Sequence, residues 1–154
     1  MRRSRFTKFT PLIAGLMTGL LFAILAVPLN AHPGDFPASY DISKEITLNG
    51  TVSSVLLRPA PGMTWGSHLM IETASGRVDA SLGRWGLQGK DAVSVKPGQQ
   101  IEVTGIMKSL SDKKEVFVAR TVKVNGKLFT IRNQHGIEVS PQTRKRAAEK
   151  GESL

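Results

Sequence analysis

The sequence predicts an all-β fold, a five-stranded Greek-key barrel with a short helix between strands 3 and 4. Three observations predict it. Apolar and polar residues alternate at period two in successive stretches, glycines fall inside two of those stretches, and turn-forming runs separate them. Alternation marks a half-buried strand because successive side chains point to opposite faces.

The first strand runs from Glu45 to Val55, with Ile46, Leu48 and Val52 on one face and Gly50 inside it. A glycine there marks a bulge or a sharp bend. Arg58-Pro-Ala-Pro-Gly62 cannot continue a strand and reads as loop. The second strand spans His68–Thr73, Ala74-Ser75-Gly76 turns, and the third returns over Arg77–Leu82. Gly83–Val95 loses the two-residue period and contains Trp85, Leu87 and Ala92, which predicts the short helix. Lys96-Pro97-Gly98 is a turn before the fourth strand, Gln99–Met107, which carries Gly105 in its interior. The fifth strand, Glu115–Val124, puts Val116, Val118, Val122 and Val124 on one face. Arg120 shares their parity, so either a bulge reorients it or it sits at the barrel mouth. Asn125-Gly126 is a strong hairpin turn, and Lys127–Arg132 returns from it. This is the element order of an OB-fold, and closing the barrel removes the exposed edges of an open sheet.

The 154-residue length allows one domain. The chain has no cysteine, which excludes disulfide scaffolds, cysteine-ligated metal sites and thiol catalysis. It opens with four cations (Arg2, Arg3, Arg5 and Lys8) and then has no charged residue from Pro11 to Val27. A basic segment, an apolar segment and a small residue at its end form a secretory signal, with cleavage expected after Ala31. The apolar run nearly reaches the roughly 20 residues that span a bilayer, so an uncleaved anchor is the alternative. Residues 1–31 thus read as the signal, 32–44 as an irregular lead-in, 45–139 as the barrel and 140–154 as a charged flexible tail. The net charge of +9 is concentrated in the leader and tail, leaving a mildly basic body. Export and this modest charge both disfavour nucleic acid as a partner, and the periplasm or the medium is the expected location.

Gly50–Val55, His68–Gly83, Lys96–Gly105, Val118–Val122 and Leu128–Gly136 together resemble a family of small exported bacterial OB-fold proteins of the periplasmic stress type. The resemblance implies the fold and the compartment; that family has no established activity. The chain departs from its pattern at Arg84-Trp85, where the family has proline and an aromatic. It departs again at Ile137-Glu138-Val139, where the family has a closing proline and tryptophan. A looser resemblance is to the periplasmic haem chaperone of cytochrome c maturation, an OB-fold with a haem-attaching histidine just past its last strand. His135 occupies a comparable place, but the chaperone's following acidic segment and tyrosine are missing, and Tyr40 is the only tyrosine.

Candidate binding residues come in pairs. Trp65 and His68 flank the start of strand two and can stack on a sugar, base or peptide at the face OB-folds use; the bland alternative is a barrel cover and a strand cap. Arg84 and Trp85 offer a cation–π pair or an anion site, against a tryptophan plugging the barrel end. Arg132 and His135 lie at the exit of the last strand. His32 would be the mature N-terminus, where amine and imidazole chelate Cu(II) with help from His68 or His135; the alternative is an ordinary loose terminus. No GxSxG elbow and no paired carboxylates point to catalysis. The expectation is a non-enzymatic binding or accessory module without a cofactor. Its partner would be an envelope protein, a glycan or a small ligand, met through the Pro59–Ser67 loop with His68 and through Arg132–His135. Membrane contact would come only from an uncleaved leader. The alternative is a copper or haem handling protein using His32, His68 or His135.

Overall fold

A computed structural model describes residues 40–110 and 113–152; the leader, most of the lead-in and His32 lie outside the described residues. A one-turn 3-10 helix, Ile42–Lys44, leads into six strands and one α-helix. The strands are β1 (Ile46–Leu56), β2 (Ser67–Thr73), β3 (Gly76–Gly83), β4 (Gln100–Ser109), β5 (Glu115–Val124) and β6 (Lys127–Thr130), followed by α1 (Pro141–Lys150).

The first five strands close on themselves. β1 pairs antiparallel with β2 and β4, β2 with β3, and β4 with β5, while β3 meets β5 in parallel at Ala80–Phe117 and Ser81–Val118. Around the barrel the order is β1, β2, β3, β5, β4 and back to β1, with β6 added to β5 as a hairpin. β1 serves two neighbours because it is long: Ile46–Thr51 face β4 and Gly50–Leu56 face β2. Gly50 stands where the two pairings overlap, and a Cβ there would collide with the Glu72 carbonyl and the Ile71 side chain. Gly105 is pressed against the Val118 carbonyl in the same way. Both mid-strand glycines are therefore corners, as their positions predict.

The barrel is filled from every strand by residues such as Val52, Leu69, Ile71, Val103, Phe117 and Val122, each buried. A smaller apolar cluster of Tyr40, Ile106, Val116 and Val118 packs outside it. Arg120 is reoriented by a bulge: Gly105 pairs with Ala119 and Thr104 with Thr121, leaving Arg120 unpaired between them. Its guanidinium forks onto both oxygens of Glu45, the outer bond being 2.8 Å, and the Tyr40 hydroxyl donates to the same carboxylate at 2.6 Å. The bulged carbonyl of Arg120 accepts from the N–H groups of Ile131 (2.7 Å) and Arg132 (3.1 Å), which ends β6 before Arg132.

Two expectations are corrected. The short helix between strands 3 and 4 is absent; residues 84–91 form turns and bends, 92–96 are irregular, and the helix comes after the strands. Gly83, Gly89 and Asp91 all have left-handed φ, which no right-handed helix accommodates, and Gly86 further weakens any helix there. The segment still seals the core through Val93 and Leu87. The charged stretch read as a flexible tail instead forms α1. Ser140 caps it by accepting from Thr143 N–H (3.1 Å), Pro141 opens it, and left-handed Gly151 ends it. Its inward seam is narrow, consisting of the buried Arg144 and Ala147.

Candidate functional site

Four of the six predicted binding residues meet on one face. Trp65, Arg84, Trp85 and His135 line an open cleft of about 580 Å³, together with Ile137 and Glu138. A second cleft of about 600 Å³ shares Trp65, Arg84 and Trp85 and continues to Leu57, Arg58 and Gln88. Trp65 lines both, with 76% of its surface exposed.

Three loops build this face, and glycines let them touch. The β1–β2 loop delivers Trp65; the turn after β3 delivers Arg84 and Trp85. Gly66 and Gly83 both adopt positive φ, and a Cβ on Gly66 would collide with the Gly83 backbone. Only glycines allow so close a crossing at these dihedrals. The third loop is a tight turn from Asn133 to Ile137, whose backbones bond at 2.9 Å. The Asn133 side-chain oxygen accepts from the N–H groups of His135 and Ile137, each at 3.0 Å, and so fixes the two residues that reach the cleft.

Beneath the face lies a buried ion pair. Arg132, 5% exposed, donates to the carbonyls of Ser81 (3.1 Å) and Ala119 (2.6 Å) and approaches Glu138 at 3.4 Å. Burial pulls its guanidinium below the usual range, while the Glu138 charge pulls it back. The other Glu138 oxygen accepts from the Arg84 backbone N–H at 2.9 Å. Glu138 thereby ties the third loop to the second. The Arg84 guanidinium lies 4.5 Å from the centroid of the Trp85 ring. Arg132 is thus a support for the site rather than part of its surface.

His68 is not on the face. It is fully buried, with Nδ1 2.6 Å from Asp79 and Nε2 2.8 Å from the Thr64 carbonyl. Both partners accept, so the ring is held as a doubly donating imidazolium. Burial pushes its pKa down, but the Asp79 and Thr64 bonds and the Asp79 charge outweigh it, and the net shift is upward. With both nitrogens engaged, His68 has no lone pair to offer copper. His135 is exposed in the cleft, and among the described residues no group of three metal-binding side chains occurs.

Sequence reading missed Leu57, Arg58, Gln88, Ile137 and Glu138, which complete the clefts. Leu57 (62%) and Ile137 (64%) are apolar yet exposed, but exposure depends on the fold. No curated protein matches the chain. A family model matches residues 44–129, a span that contains Trp65, Arg84 and Trp85 and stops before Arg132 and His135. That span is more than half of the sequence, and with it the chain belongs to the MamS/MamX magnetosome protein family.

Proposed function

We propose that the chain is an exported, non-enzymatic binding or accessory module of the bacterial cell envelope that serves the magnetosome, built on an OB-type barrel. The observation that carries this reading is the convergence of Trp65, Trp85, Arg84 and His135 around two adjoining clefts. An exposed tryptophan set among apolar and cationic side chains is the composition of a recognition surface, because aromatic residues and arginine contribute most to binding. Strand pairing in the order β1, β2, β3, β5, β4 supports the OB type. The basic-then-apolar leader supports export, and the family supports the magnetosome.

Site-directed photo-crosslinking in the producing bacterium tests the reading. A photoreactive residue at Trp65 or Ile137 should give a discrete adduct, and one at exposed Lys123 on β5 should not. Equal labelling from all three positions would overturn the assignment of this face.

A further inference from the structure

Resting on that reading of the face, we infer that its ligand is an acidic peptide segment bearing apolar side chains, laid across Trp65 from one cleft to the other. Three observations point to this class.

The first is charge. Arg58 lines one cleft and Arg84 both, and among the described residues neither guanidinium has a carboxylate within ion-pair distance. Among the described residues, the only carboxylate at either cleft is Glu138, and its two oxygens are already bonded to Arg132 and to the Arg84 backbone. The face therefore has uncompensated positive charge. A guanidinium stacked on an indole keeps its outer edge free for bidentate contact with a carboxylate.

The second is the chemistry of the walls. Leu57, Pro59 and Ile137 are aliphatic, and the tryptophans complete an apolar lining. Apart from His135 and the two indole N–H donors, Gln88 is the only uncharged hydrogen-bonding side chain among the described residues at either cleft. A glycan would find few side-chain partners for its hydroxyls there, whereas leucine or phenylalanine side chains need none.

The third is shape. A small molecule is normally enclosed by its site. Here two open clefts adjoin, sharing Trp65, Arg84 and Trp85, and Trp65 and Ile137 are each more than half exposed. An extended chain spans adjoining clefts and places side chains in both.

The test is selection of a random octapeptide phage library on the immobilised full chain, run in parallel on the R58Q/R84Q double variant. Both positions are exposed, and matching thermal melts confirm that the variant folds. Selected peptides should combine Asp or Glu with Leu, Phe or Trp. Their synthetic forms should change the fluorescence of Trp65 and Trp85, the chain's only tryptophans. Replacing the acidic residues of the peptide with amides should weaken binding about tenfold, and the double variant should lose the selection. Selection without acidic enrichment, or equally strong on the variant, overturns the inference. Oligogalacturonate provides the other arm. If it changes the tryptophan fluorescence in an arginine-dependent way and the peptides do not, the face binds an acidic glycan, and the peptide inference falls while the binding face stands. If neither probe changes the fluorescence, both fall.

Discussion

Arg144 of α1 donates to the main-chain oxygen of Trp85 at 2.9 Å and to that of Gln88 at 3.2 Å. A helix built from the charged end of the chain therefore holds the loop that carries Arg84 and Trp85. Arg144 is 5% exposed, so these bonds form away from water. Replacing Arg144 with Met keeps the apolar stem and removes the donors, leaving the Gln88 carbonyl unpaired and the Trp85 carbonyl with only the Gln88 N–H at 3.3 Å. The expected cost is about 2 kcal/mol. Amide hydrogen exchange should accelerate across residues 84–92 and leave β1 and β2 unchanged.

The ion pair beneath the face gives a second prediction. Glu138→Ala leaves the buried Arg132 guanidinium uncompensated, and loss of one partner of a buried pair costs about 3 kcal/mol. The same substitution frees the Arg84 backbone N–H, so the loop should shift with it. Denaturant unfolding measures the first effect and Trp85 fluorescence the second. Replacing Arg132 and Glu138 together with Met and Leu should cost less than the sum of the two single replacements, because neither partner is then left charged and alone.

Two groups set opposite limbs of a stability–pH profile. The Arg120 bond, outweighing burial and joined by the Tyr40 bond, holds Glu45 below its ordinary value of 4.5. Its contribution is present above about pH 4.5 and is lost as pH falls through the lower folded value. His68 is shifted the other way, above 6.5. Its contribution is complete below about pH 6.5 and is lost as pH rises through the higher folded value. Stability from these two groups is thus greatest between about pH 4.5 and 6.5. Unfolding free energies measured from pH 3 to 9 should show both limbs. Glu45→Gln should flatten the acid limb and His68→Gln the alkaline one.

Gly66→Ala tests the loop crossing. The residue has φ +117 and lies against the Gly83 backbone, so a methyl group is excluded by dihedral and by space alike. A destabilisation of about 2 kcal/mol is expected, with Trp65 displaced. Gly76→Ala, at φ +116 in an open hairpin with nothing within 4 Å, carries the dihedral strain alone and should cost less. Comparing the two melts separates strain from crowding.

The barrel was legible in the sequence because period-two alternation and mid-strand glycines are local signals of strands and corners. Arg120 announced its bulge by breaking parity. The helix was misplaced for two local reasons. In Gly83–Val95, a lost period with Trp85, Leu87 and Ala92 looks helical until the left-handed glycines are weighed. In Pro141–Lys150, charge density hides an inward seam of two residues, although Ser140-Pro141 and Gly151 were its start and stop signals. At the site, Trp65, Arg84, Trp85 and His135 stood out by residue type. His68 and Arg132 stood out too, but only the fold shows that their polar atoms are spent inside it. Leu57 and Ile137 gave no signal, because an aliphatic residue beside a strand is ordinarily core.

Oxidative footprinting of Trp65 tests the central claim, that this face is covered by a partner in the cell. In the purified chain, Trp65 should oxidise rapidly, as its 76% exposure requires. Inside the intact producing bacterium it should be protected several-fold relative to Leu128, an exposed residue on β6 (60%) away from the clefts. Equal rates for Trp65 in the two settings, normalised to Leu128, would show the face uncovered and contradict the account.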